Sequence, residues 1–158
     1  MARIALDAMG GDHAPAAPIA AALLAIQELG PEHQIQLVGR ESVIREQLNA
    51  QLAAAPAVLV EAATRFEIID APDVIEMTDK PSVAIRGKPN SSMALGIRLQ
   101  VDGRSDAFVS AGNTGAQMAA STFILRLHDG LSRPAIGTVF PTARQPVVVL
   151  ICHVLCCR

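Results

Sequence analysis

The sequence predicts an α/β fold built on a mostly parallel sheet, and three observations carry that expectation. Apolar runs of strand length alternate with longer, alanine- and leucine-rich runs of helix length. Two glycine-rich bends, Gly10-Gly11 and Gly112-Asn113-Thr114-Gly115, each lie between such a strand and such a helix. The chain has 158 residues, 51% of them apolar and only 3% aromatic, which suits one compact domain with a core of Ala, Val, Ile and Leu.

Residues 3–9 (RIALDAM) run apolar into Gly10-Gly11 and read as a buried strand closed by a turn. After a loop holding Pro15 and Pro18, residues 19–29 form a strong helical run. Gly30-Pro31 is its stop, because Gly tolerates the terminal conformation and Pro cannot continue the helix. Residues 34–38 read as a second strand, and 41–53 as a helix with Glu41 and Arg45 four apart. Residues 57–62 read as a third strand. Over 66–79, Pro72 breaks any helix, and a short strand followed by loop is expected.

A further helix starts at Asn90 or Ser91, where an amide or hydroxyl can cap it, and ends at Asp102-Gly103. Residues 105–110 read as a strand, 112–115 as a turn, 116–128 as a helix and 135–140 as a strand, with 147–151 a final buried strand. Parallel strands joined by helices require helices on both faces.

Charge and composition exclude several function classes. Thirteen Lys and Arg against fifteen Asp and Glu leave a net charge of −2, with no overall attraction to a polyanion. With no Trp or Tyr, no aromatic platform for stacking bases can be assembled, so nucleic acid is not an expected partner. Asp7 interrupts the first apolar stretch too early for a secretory signal. The most apolar segment, Val147 to Cys157, contains His153 and has about half the roughly 20 residues of a membrane-spanning helix. Cys152, Cys156 and Cys157 all lie in the last seven residues, beside His153. Adjacent cysteines rarely converge on one tetrahedral ion, so neither metal nor cofactor is expected, and the tail reads as a different coding context from the rest.

Three segments carry chemistry. At Gly10-Gly11-Asp12-His13 the paired glycines allow close backbone approach to a ligand, and Asp12 and His13 add acid–base capacity; the alternative is an ordinary turn with a solvated histidine. At Ser110-Ala111-Gly112-Asn113-Thr114-Gly115, short polar side chains and glycines meet at the carboxyl end of a strand, where open α/β sheets bind ligands. The segment lacks the Lys of a nucleotide P-loop and the spacing of a dinucleotide fingerprint. Its alternative reading is a turn with an Asn or Thr cap.

The third segment follows a switch of charge: residues 61–79 hold six acids and one base, and residues 80–104 hold five bases and one acid. Arg86 and Lys88 precede Ser91 and Ser92 at a helix start, so cations, hydroxyls and backbone donors can converge on an anion. A solvated charged face is the alternative there.

DAMGGDHAP at 7–15, VIEMTDKPSVAIRGKPNSSM at 74–93 and VSAGNTGAQMAASTFILRLHDGLSRPAIGTVFPT at 109–142 together resemble the phosphate acyltransferase family of bacterial phospholipid synthesis. The resemblance spans about residues 1–150 and corresponds to the N-terminal half of family members. It implies a Rossmann-like three-layer α/β/α fold, shared with phosphotransacetylases and isocitrate or isopropylmalate dehydrogenases, here in truncated form. It also implies transfer of a fatty acyl group from acyl carrier protein to inorganic phosphate, the acyl phosphate passing to the membrane's glycerol-3-phosphate acyltransferase.

A cytoplasmic homodimer that associates with the membrane surface is implied too. Within those motifs, Asp12 and His13 are the catalytic candidates. Gly10, Gly11, Arg86, Lys88, Ser91, Ser92, Ser110, Gly112, Asn113, Thr114 and Gly115 are the phosphate or substrate candidates. Two alternatives remain: a phosphotransacetylase-like enzyme using acyl-CoA, and a non-catalytic fragment or interaction protein. Residues 151–158 depart from the family pattern, and the cysteine cluster begins almost where the resemblance stops, as a frameshift or early stop would produce.

Overall fold

The structure is a computed structural model that describes residues 1–151. The chain divides into two compact units, Met1–Leu125 and Arg126–Arg158.

The first unit is a four-stranded parallel sheet in the order β3-β2-β1-β4, with helices on both faces. This is the Rossmann-like three-layer arrangement expected from the alternating pattern. Its strands are β1 (Arg3–Asp7), β2 (Gln34–Gly39), β3 (Phe66–Asp70) and β4 (Ala107–Val109). Its helices are α1 (Ala16–Glu28), α2 (Glu41–Leu52), α3 (Ala57–Ala63), α4 (Pro81–Gly87), α5 (Ser92–Val101) and α6 (Thr114–Ala120), with a π-helical turn at Ser121–Leu125.

Alternation along the strands sorts the side chains into two cores. Ile35 and Leu37 of β2 meet Ile19, Ala22, Leu23 and Ile26 of α1 and Ile44 of α2. The helix residues recur at i, i+3, i+4 and i+7, the spacing that makes one apolar stripe. On the other face, Ala5 and Val38 pack with Ala71 and Leu99, and the Phe108 ring lies against Gly96 of α5. Arg65 closes the amino-terminal half by donating to the carbonyls of Ile26, Leu29 and Gly30 at the end of α1.

Two expectations for the first unit are corrected, and one of its elements was not expected. Residues 57–62 are not a strand: Ala57–Ala63 is α3, with Pro56 at its N-cap. A six-residue run that is apolar but for Glu61 fits either state. Alanine and a preceding proline favour the helix, and the place beside β2 is taken by Phe66–Asp70 in register from Ile35↔Phe66 to Gly39↔Asp70. The helix expected over 116–128 begins at Thr114, ends at Ala120 and gives way to the π-helical turn; Arg126 then has φ +69°, which no helix can continue. The segment 80–88 contains a short helix, α4, not anticipated at all.

The second unit, over its described residues, is an antiparallel hairpin of β5 (Ile136–Phe140) and β6 (Val147–Ile151), paired from Ile136↔Ile151 to Phe140↔Val147. Thr142 organises the connection: its Oγ1 donates to the Gln145 carbonyl at 2.5 Å and accepts the Arg144 and Gln145 N–H groups. The expectation of a buried strand at 147–151 fails on burial, since Val147, Val148 and Val149 are exposed. A connection this short returns the chain antiparallel, whereas a parallel neighbour needs a long crossover. The expected cysteine cluster lies outside the described residues. Among the described residues no helix is long and apolar enough to cross a membrane, and no group of metal-ligating side chains is found.

Candidate functional site

The strand order locates the site. From β1 the chain moves to β2 and β3 on one side, then crosses to β4 on the other, so the sheet changes direction between β1 and β4. Ligands of open α/β sheets bind outside the carboxyl ends of the strands at such a point. β1 ends there in Asp7, followed by Gly10-Gly11, and β4 is followed there by Ser110 and Gly112.

Hydrogen bonds join the two bends. Ser110 Oγ donates to Asp7 Oδ2 at 2.7 Å and accepts the Gly112 N–H at 3.0 Å, while the Met9 N–H donates to Asp7 Oδ1 at 3.0 Å. Asp7 is 3% exposed, and these donors satisfy its buried oxygens. The approach is so close that a Cβ on Gly10 would lie 2.6 Å from Asp7 Oδ2, 2.8 Å from Ser110 Oγ and 2.9 Å from Gly112 N. Gly11 adopts φ +103°, which L side chains rarely occupy.

Beside this junction lies a cavity of about 500 Å³ lined by Gly10, Gly11, Asp12, His13, Ser110 and Ala111, among others. The side chains of Asp12 and His13 are exposed at its rim. Among the described residues no hydrogen bond uses the N–H groups of Gly11, Asp12 or His13. α1 begins at Ala16, three residues earlier than the sequence indicates, so its N-terminal end follows the bend directly, with the Ala17 N–H already donating to the His13 carbonyl at 3.0 Å. Open N–H groups and the positive end of a helix favour an anion.

Asn113 has a different position. As N-cap of α6 it accepts the Ala116 N–H at 3.0 Å through Oδ1, while Nδ2 donates to the carbonyls of Glu76, Met77 and Asp79 at 3.3, 3.1 and 3.2 Å. Lys88 grips the same loop from the other side, donating to the Val74 carbonyl at 2.8 Å and to Asp79 Oδ2 at 2.5 Å. The Lys88 ammonium and then the Glu76 N–H hold the Asp79 carboxyl below the ordinary aspartate range. The loop thus held lines a second cleft of about 570 Å³, with Gly11, Asp12, Arg40, Glu76, Met77 and Thr78 on its walls.

The structure therefore brings Gly10, Gly11, Asp12, His13, Ser110 and Gly112 together, with Asn113 behind them. The other candidates do not line that cavity and make contacts of their own. Ser91 is buried as N-cap of α5, accepting the Ala94 N–H at 3.3 Å, and Ser92 is buried beside it. Gly115 packs on Pro81, and Thr114 is exposed at the first position of α6. The Arg86 guanidinium lies over the Phe123 ring, 5.3 Å from its centroid.

Arg40 was missed by the sequence reading. Directly after β2, its Nε donates to the Pro72 carbonyl at 3.0 Å while its side chain walls the second cleft. An arginine at the carboxyl end of a strand was the available signal.

A sequence model of the family described as fatty acid synthesis protein matches residues 2–152. Phosphate acyltransferase of Salinibacter ruber is 48% identical over 148 residues, covering 94% of this chain and 42% of that protein. Phosphate acyltransferase of Desulforamulus reducens is 47% identical over 150 residues, covering 95% of this chain and 42% of that protein. That of Pseudomonas fluorescens is 43% identical over 141 residues, covering 89% and 40%. The chain thus spans about two fifths of the length of the curated relatives it matches.

Proposed function

Because the chain belongs to the fatty acid synthesis protein family, we propose that its joined glycine bends hold inorganic phosphate for attack on a fatty acyl thioester of acyl carrier protein. The product is an acyl phosphate. The junction of Gly10 with Ser110 and Gly112 carries this reading, since it leaves the Gly11, Asp12 and His13 N–H groups open at one end of a cavity. The name of the relatives, phosphate acyltransferase, supports phosphate and an acyl group as the reacting partners.

The chemistry needs little more than positioning and electrostatics. A phosphate oxygen forms a bond to the thioester carbonyl carbon, the carbon–sulfur bond breaks, and the proton carried by the phosphate passes to the departing sulfur. A thiol with a reference pKa near 8.5 leaves readily as thiolate. Fixed main-chain donors that neutralise phosphate and the developing oxyanion therefore matter more than a strong acid. His13 and Asp12 at the rim are the groups that handle the proton in this reading.

Product transfer to a membrane glycerol-3-phosphate acyltransferase, action as a cytoplasmic homodimer and contact with the membrane surface belong to the same proposal. Incubating the chain with acyl carrier thioester or acyl-CoA, with and without phosphate, tests it. Phosphate-dependent thioester loss with acyl phosphate appearing by phosphorus NMR supports the reading. Preference for the CoA thioester supports a phosphotransacetylase-like donor instead, and binding of phosphate without turnover marks a non-catalytic unit.

A further inference from the structure

The cleft walled by Arg40 lies on the β2 side of β1, whereas the cavity lined by Ser110 lies on the β4 side; Gly11, Asp12 and Ala14 line both. Pairing of the strands brings Arg40 to this place. Asp7 is in register with Val38, and the Ala8 N–H donates to the Val38 carbonyl at 2.9 Å, so Arg40 follows β2 beside the start of the bend. Gly39 permits the approach, since a Cβ there would lie 2.8 Å from Met9 Cγ. Arg40 is exposed, its Nε is engaged with the Pro72 carbonyl, and no other hydrogen bond or ion pair of the described residues uses its guanidinium. Four of its five N–H donors are therefore open to a ligand.

The rest of the lining divides into two chemistries. Asp12 and Glu76 carry exposed carboxylates, and none of the ion pairs of the described residues uses either. Met9, Val43 and Val74 make an apolar wall. A simple anion would match Arg40 and be repelled by the two carboxylates. An apolar molecule would leave all three charges unmatched. A phosphorylated ribose with its base satisfies each group, because carboxylates accept from sugar hydroxyls and a guanidinium pairs with phosphate. Dinucleotide folds with this 3-2-1-4 strand order use the same set, an acid for a ribose hydroxyl and an arginine for a phosphate on the ribose. The bend has two glycines and not the three of a dinucleotide fingerprint, so the match is to the ribose end of such a ligand. The volume of about 570 Å³ falls within the roughly 300–1,000 Å³ of small-molecule sites.

We infer that this cleft binds a nucleotide whose ribose carries a phosphate at the 2′ or 3′ position. The phosphate pairs with Arg40, the free hydroxyl faces Asp12 and Glu76, and the base lies against Met9, Val43 and Val74. The inference does not rest on the phosphate reading of the cavity across the bend.

Calorimetric titration of the 158-residue chain with adenosine 2′,5′-bisphosphate, adenosine 3′,5′-bisphosphate, 5′-AMP, ribose 5-phosphate and inorganic phosphate tests it. One bisphosphate should bind at least about tenfold more tightly than 5′-AMP, the effect of one charge-assisted pair, and the preferred isomer identifies the phosphate position. Arg40→Gln should remove that advantage and leave inorganic phosphate binding unchanged. Thr78→Phe, at an exposed position on the cleft wall, should weaken the bisphosphate at least about tenfold by filling the space, which keeps the test valid should the Arg40 variant lose the tie to Pro72 and unfold.

Equal affinity for 5′-AMP and both bisphosphates, ribose 5-phosphate binding as tightly as either bisphosphate, or bisphosphate affinity indifferent to both variants overturns the nucleotide site, whether or not inorganic phosphate binds. Bisphosphate binding that the variants abolish, in a chain that takes up no inorganic phosphate, supports the nucleotide site and contradicts the phosphate site.

Discussion

Ser110 Oγ donates to Asp7 Oδ2 at 2.7 Å, joining residues 103 positions apart. The bond ties the carboxyl end of β4 to that of β1, and the Gly112 N–H extends it by donating to the same hydroxyl. Two locally encoded bends become one structure through it. Ser110→Ala removes a donor from a carboxylate that is 3% exposed. We expect a loss of about 1–3 kcal/mol in urea unfolding, together with weaker phosphate binding by calorimetry. Unchanged stability would show that Asp7 does not depend on this donor.

Asn113 is expected to act as two devices in one side chain. Asn113→Ala removes the α6 cap, worth about 1 kcal/mol, and the donor to the Glu76, Met77 and Asp79 carbonyls, worth about 1–2 kcal/mol more. Asn113→Asp keeps the acceptor for Ala116 and loses the donor. Amide hydrogen exchange should therefore speed up across 76–79 in both variants, but at the start of α6 only in the alanine variant. Equal exchange at both places in both variants would refute the division.

Arg65 binds three carbonyls at the carboxyl end of α1. Arg65→Met keeps most of the apolar stem and should cost about 2 kcal/mol by denaturant unfolding. Arg65→Lys should recover little, because an ammonium cannot reproduce the planar fork of donors. Full recovery by lysine would show that charge at the helix end is what matters.

The Asp79–Lys88 pair sets an acid limit on the loop it holds. Asp79 has a folded pKa below its unfolded value, so its contribution is present above the unfolded value and is lost as pH falls through the folded one. A carbon-13 NMR titration of the Asp79 carboxyl should give a midpoint below the ordinary aspartate value. Exchange protection at 76–79 should fall over the same acidic interval, and Asp79→Asn should make it independent of pH there. A normal midpoint would contradict the pairing.

Much of the first unit was legible because its signals are local. The stop at Gly30-Pro31, the Ser91 cap and the apolar runs of β1 and β2 need no tertiary information. α3 was not legible, because Ala57–Ala62 satisfies strand and helix equally, and the choice is settled by Phe66–Asp70 pairing with β2. The site divides similarly. The glycine bends were visible as sequence, but the Ser110–Asp7 bond, the reach of Asn113 to carbonyls 34–37 residues away and the place of Arg40 on a cleft all arise from long-range packing. Lys88, readable only as a free cation in a basic stretch, is engaged with Asp79 and Val74.

The most direct test of the account is a titration of nitrogen-15-labelled chain with inorganic phosphate, followed amide by amide in NMR spectra. The account predicts saturable shifts that are largest at Gly11, Asp12 and His13 and extend to Ala111 and Gly112, and that are lost in Ser110→Ala. Saturable shifts centred elsewhere in the chain, with these amides unmoved, would contradict it.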